Sequence, residues 1–182
     1  MNLKEIGLYL RIRGEIDEST RRLIEEIYPT ADGTPFYCRY GTYDIAATDA
    51  GIELVGTGVV LTGELAKRHF DNCSKIIVIL GTMGIESERR IKSFFSVSPT
   101  RGVVLDACYS EVIERRLDEK EKELGDGSVL TSRISCGYGD LPINLQGKLL
   151  DLIEGERIGV YMNESCMLTP NKSVVALVGV KK

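Results

Sequence analysis

Apolar residues along this chain recur with two different periods, and each change of period marks a new element. Leu23, Ile24 and Ile27 repeat at helical spacing behind Asp17 and Ser19, either of which suits an N-cap. Residues 21–28 therefore read as a helix that Pro29 stops, the second of two helical segments within 2–28 separated near Gly14. Residues 36–62 are rich in Tyr, Thr, Val and Ile, with glycine at intervals. They predict short antiparallel strands at 36–48, 52–55 and 59–61, with Asp49-Ala-Gly51 as a turn. A short helix at 64–70 and a strand at 75–80 follow. The run Ile76-Ile-Val-Ile-Leu80 is apolar at every position, as in a buried central strand.

Gly81-Thr-Met-Gly84 leads from that strand into a helical stretch at 85–95. A glycine-bearing turn at a helix start is a generic anion site, because free N–H groups point out of the helix end. The same residues also make an ordinary tight turn, and both the P-loop Lys-Ser/Thr pair and G-x-G-x-x-G are absent. Residues 100–124 predict the longest helix, with Val104, Leu105, Cys108, Val112, Ile113 and Leu117 as its apolar stripe. Glu111, Glu114 and Asp118 fall one turn apart on a neighbouring face. They make either a solvated acidic face countered by Arg115 and Arg116, or a carboxylate reaching into a cleft that holds a cation. Gly125-Asp-Gly127 ends this helix. Beyond it come a β-type run at 128–131, a helix at 145–153 capped by Asn144, a strand at 157–162, a loop through Pro170, and a final strand at 173–180. Helices and short strands mix without a βαβ rhythm, which predicts a single α+β domain over 1–182 with a largely antiparallel sheet.

Chemistry concentrates in Arg133-Ile-Ser-Cys-Gly-Tyr-Gly-Asp-Leu-Pro142. Arginine suits a planar carboxylate, held by two parallel hydrogen bonds. Gly137 and Gly139 allow positive φ or close approach to a ligand, although Gly, Asp and Pro are also plain turn residues. A net charge of −4 leaves no basic stripe for nucleic acid. The N-terminus lacks a signal-peptide pattern and no apolar run approaches a membrane span, so a cytoplasmic location is expected. Five cysteines without a C-x-x-C pair fit neither a zinc site nor a disulfide framework and point to reduced thiols. With His69 as its one histidine, the chain offers no Ser-His-Asp or Cys-His constellation; no catalytic or metal-ligating residue is expected.

Three linked motifs carry the reading further: 133–146 with its R-x-x-x-G-Y core, Arg157-Ile-Gly-Val-Tyr-Met-Asn-Glu-Ser165, and Met167-Leu-Thr-Pro-Asn-Lys-Ser-Val174. In this order the chain resembles the activation (reactivation) domain of vitamin B12-dependent methionine synthase, and most of all its short free-standing relatives. Ile79-Leu-Gly-Thr-Met-Gly84, and Val104-Leu-Asp-Ala107 with Glu111 and Glu114, are also similar, so the resemblance covers about 75–182 and fits loosely before residue 60. It implies a helmet- or C-shaped α+β domain with a twisted antiparallel sheet flanked by helices. It also implies a module that binds S-adenosylmethionine and supports reductive remethylation of cob(II)alamin on a methionine synthase acting in trans. The cobalamin is bound by that partner, or by another corrinoid protein, and the electron comes typically from flavodoxin; nucleic acid and membrane have no part. Arg133 would take the ligand carboxylate, and Glu111 or Glu114 the ammonium or sulfonium side. Gly137 and Tyr138 would line the ligand or corrin face, and Glu164, with Ser165 and Ser173, holds a motif position. The alternative is an accessory module that docks on a corrinoid methyltransferase without binding S-adenosylmethionine. Departures from the pattern are Cys136 where proline is common, an unplaced N-terminal acidic ligand, and a tyrosine-bearing segment not found before Lys182.

Overall fold

The computed structural model describes all residues, Met1–Lys182. The chain runs through α1 (Leu3–Tyr9), α2 (Glu18–Asp32), β1 (Tyr37–Thr48), β2 (Gly51–Leu54), β3 (Val59–Thr62), α3 (Glu64–Phe70) and β4 (Cys73–Thr82). It continues through α4 (Gly84–Val97), α5 (Pro99–Gly125), α6 (Leu145–Leu152), β5 (Tyr161–Met162), β6 (Leu168–Thr169) and β7 (Ser173–Lys181). Five strands form one curled sheet, ordered β3-β2-β1-β4-β7, and every neighbouring pair is antiparallel. β5 and β6 make a separate short pair. No helix is long and apolar enough to cross a membrane.

β4 and β7 divide the interior in two. Ile76, Val78, Leu80, Val175 and Leu177 enter a core closed by α3, α6 and the β2–β3 hairpin. Ile79 and Ala176, on the opposite face, enter a core closed by α1, α2 and α5. A strand buried on both faces has no position for a polar residue, which is why 76–80 shows no alternation. The expected strands within 36–62 and at 75–80 and 173–180, the 64–70 helix and the apolar stripe of the long helix form as read, and each of the six stripe residues is buried.

Three segments differ from expectation. α2 starts at its Asp17 cap but runs through Pro29 to Asp32. Tyr28 and Ala31 are buried among the residues of α5, and this packing outweighs the hydrogen bond that proline removes. Residues 157–162 are mostly not a strand: Gly155–Ile158 is a 3-10 turn between Glu154 (φ 52) and Gly159 (φ 72), leaving only Tyr161–Met162 extended. The next turn closes at once, because Asn163 Oδ1 accepts from the N–H groups of Ser165 (3.0 Å) and Met167 (2.9 Å). The 128–131 run forms no strand but leans on the outer edge of β7, through bridges at Leu130 and, further on, Ile134.

Candidate functional site

α5 carries Glu114, Asp118 and Glu121 four and three residues apart, so the three carboxylates share one edge of the helix. Arg133 lies against that edge. Its Nη2 donates to Glu114 Oε2 at 2.6 Å and to Asp118 Oδ1 at 3.0 Å, and its Nη1 donates to Glu121. The Nε–H makes no hydrogen bond within the protein. The base of the 133–142 loop is fixed where Ile134 and Leu177 exchange backbone hydrogen bonds of 3.1 and 2.8 Å. Gly137 has φ 91, a conformation its N–H stabilises by donating to the Leu141 carbonyl at 2.8 Å.

The far side of the loop is tied down by Asp140, whose carboxylate accepts from the N–H groups of Glu64 (2.7 Å) and Leu65 (2.9 Å) at the start of α3. Those two bonds hold its pKa below the ordinary 3.8. A depressed carboxyl contributes stability above its unfolded pKa and loses that contribution as pH falls through the folded value. Asp140→Ala is therefore expected to lower the urea midpoint at pH 7, with the gap to the parent closing as pH falls below 3.8. A gap that stays constant down to pH 2 would contradict this role for the capping charge.

Glu114, Arg133, Ser135, Tyr138, Gln146 and Ser173 line a cavity of about 410 Å³, with Leu168, Val174 and Val175 as its apolar wall. That volume lies within the roughly 300–1,000 Å³ of small-molecule sites. Gln146 is buried and donates to the Cys166 carbonyl at 3.0 Å, while Ser173 Oγ lies 2.7 Å from Thr82 Oγ1. Tyr138 stands half exposed at the rim.

Charge is unbalanced here. Burial works against the charge on Arg133, but Glu121 and Glu114 overcome it and move the guanidinium further up. Glu121 itself is pushed up, first by burial; Arg133 pulls it back only in part, and Asp118 and Glu114 add to the rise. One guanidinium cannot neutralise three carboxylates, so the cluster keeps a negative surplus. α1 adds to it from above. Glu5 is raised by burial and then by Glu111, Glu114 and Asp118, and Tyr9 is pushed up to about 12 by burial and then by Glu114, Glu5 and Tyr138.

The structure separates the two acidic candidates. Glu114 lines the cavity. Glu111 is fully buried beneath α1, accepting from the Asn2 N–H at 2.7 Å and from the Tyr28 hydroxyl at 2.8 Å, and it does not line the cavity. Gly137 is exposed beside the site, and Glu164 sits on the exposed 163–166 turn without an ion-pair partner. The acidic face of α5 is not purely solvated, because Glu114, Asp118 and Glu121 all meet Arg133. Glu121, Glu5, Tyr9 and Gln146 escaped the sequence reading; only the i, i+7 spacing of Glu114 and Glu121 could have pointed to one of them. Cys136 is buried and pushed up to about 11 by that burial, which keeps it a thiol. In the 81–84 turn, the N–H of Met83 is engaged by the Lys172 carbonyl (2.9 Å) and that of Gly84 by Thr82 Oγ1 (3.0 Å). Both amides thus serve the turn itself.

The cavity can hold a ligand by charge and shape, and no thiol or imidazole lines it to attack one. No protein-family model matches the chain, and no curated protein matches it in sequence. Among solved structures it is similar to the MetH reactivation domain bound to AdoHcy, with a TM-score of 0.72 and 15% sequence identity. The match covers 98% of this chain and 75% of that one. The chain has the fold of that reactivation domain, a curled antiparallel sheet flanked by helices.

Proposed function

We propose that this chain binds S-adenosylmethionine in the Arg133–Glu114 cavity and supports reductive remethylation of cob(II)alamin on a cobalamin-dependent methionine synthase acting in trans. The likeness in fold to a reactivation domain bound to AdoHcy supports the ligand class. The observation that carries the reading is the negative surplus beside one guanidinium with a free Nε–H. S-adenosylmethionine has one carboxylate against an ammonium and a sulfonium, a net positive ligand. Arg133 has donors left for the carboxylate, and Glu114 and Asp118 exceed what Arg133 can neutralise and so suit the ammonium. The ring of Tyr138, which lines the cavity, offers a face that attracts a cation.

When bound, S-adenosylmethionine supplies the methyl group; the corrinoid and its one-electron donor, a flavodoxin-type protein, come from outside. This chain would bind and orient, which is where proximity lowers the entropic part of a barrier. On this reading the chain is a component of a methyltransferase in the cytoplasmic methionine-biosynthesis system, and it supplies binding and orientation. A docking module without ligand is the second reading, favoured by the three carboxylates that already hold Arg133. Titration calorimetry of S-adenosylmethionine into the protein separates the two. A saturable single-site heat is expected; its absence, together with binding to a cobalamin-loaded partner that Arg133→Ala leaves unchanged, establishes the docking reading.

A further inference from the structure

A second cavity, of about 370 Å³, lies at the other end of β7, between the last turn of α3 and the 130–132 segment. Its polar lining is Arg68, His69, Asn72, Thr131, Ser132 and Lys181, and no Asp or Glu side chain lines it. This is the reverse of the first cavity, in a chain whose net charge is −4. Most arginines of the protein are in ion pairs, but neither Arg68 nor Lys181 forms one. Arg68 holds the Glu64 carbonyl only through Nε, at 3.4 Å, which leaves both terminal nitrogens free. Asp140 is close enough to feel Arg68, yet its oxygens are engaged by the N–H groups of Glu64 and Leu65.

The walls are rigid where they meet. His69 Nε2 donates to the Ser132 carbonyl at 2.8 Å, and Thr131 Oγ1 both accepts from the Gly179 N–H (2.9 Å) and donates to Ser132 O (3.0 Å). The Ser132 hydroxyl and the Asn72 side-chain amide have no partner within the protein. Below them Cys73 is buried, which pushes its thiol up, and Lys181 and Lys182 draw it partly back down. A cation in the last turn of a helix also complements its carbonyl end, which accounts for Arg68. It does not account for Lys181, which a different element brings to the same place.

Converging unpaired cations repel one another, and an anion with several acceptor oxygens relieves that cost. We infer that this cavity binds a phosphate group carried by a small molecule, between the Arg68 guanidinium and the Lys181 ammonium, with Ser132 and Asn72 as neutral donors. The site is independent of the proposed function, since none of these residues lines the first cavity.

The test is an amide NMR titration with inorganic phosphate, chloride being adjusted to hold ionic strength constant. Saturable shifts are expected at Asn72, Thr131, Ser132 and Lys181, and the Arg68→Gln/Lys181→Gln double variant should raise the apparent Kd about tenfold or more. Both substituted side chains are exposed, so an unchanged urea midpoint will show that the fold is intact. Shifts equal to those from chloride alone, or retained in the double variant, overturn the inference. A nucleoside monophosphate that moves the same amides, while the bare nucleoside does not, identifies phosphate as the recognised group. Movement by the nucleoside alone overturns it as well.

Discussion

Arg133→Ala is expected to weaken S-adenosylmethionine binding about 100-fold or more and to destabilise the protein at neutral pH. The affinity loss follows from the charge-assisted hydrogen bond of the free Nε–H to the ligand carboxylate, about 1.5–3 kcal/mol, together with the lost attraction between guanidinium and carboxylate. The stability loss follows from leaving Glu114, Asp118 and Glu121 against one another without their counter-charge. Asp118 is 60% exposed, so water screens part of that repulsion, and about 1–3 kcal/mol is the appropriate scale. The pH dependence is diagnostic. Glu121 already has a raised pKa in the folded parent, and losing Arg133 removes the interaction that pulls it down. A carboxyl whose folded pKa lies above its unfolded value costs stability above that folded pKa, and the cost disappears as pH falls through it. The gap in urea midpoint between Arg133→Ala and the parent should thus be widest at pH 7 and narrow toward pH 4.5. A gap independent of pH would show that the cluster is not coupled as described. Arg133→Lys should recover more of the stability than of the affinity, because an ammonium restores the charge but not the fixed direction of the Nε–H donor.

Glu111→Ala is expected to lower stability by about 2–4 kcal/mol while leaving ligand affinity unchanged. Glu111 is 0% exposed and joins three elements: its own helix, the Asn2 N–H that opens α1, and the Tyr28 hydroxyl of α2. Tyr28 is pushed up to about 12, by burial and then by this bond to Glu111, so it remains a donor at any working pH. Alanine leaves both donors without a partner and opens a void. Glu111→Gln keeps one acceptor oxygen, and a smaller loss, about 1–2 kcal/mol, is expected. Urea unfolding and calorimetry on the folded fraction check both halves of the prediction. If Glu111→Gln weakened the ligand as strongly as Arg133→Ala does, the separation of the two glutamates would be wrong.

The Glu111 and Glu114 pair shows why part of the site was closed to sequence reasoning. One turn apart on the same helix, they have the same side chain and the same apolar stripe beside them. What distinguishes them is that the start of α1 lies over the first and not over the second. Glu5 and Tyr9 belong to the same difficulty, since they reach the site from a segment more than a hundred residues away in the chain. The partners of Arg133 are a milder case. Asp118 was visible on the acidic face, and Glu121 follows it by helical spacing, but nothing local says that one guanidinium enters among all three.

Local chemistry by itself determined the strands of 36–62, a helix capped at Asp17 or Ser19, the buried stripe of α5 and the doubly buried run of β4. Each of these depends on propensity and periodicity within a few residues, so neighbours in sequence are enough to specify them. Tertiary structure alone decided that α2 would pass through Pro29, that Arg133 would be held by the long helix, and that Lys181 would meet Arg68 at the far end of β7. In those cases the deciding energy is packing or charge between segments far apart along the chain, and only the folded backbone brings such groups within reach of one another.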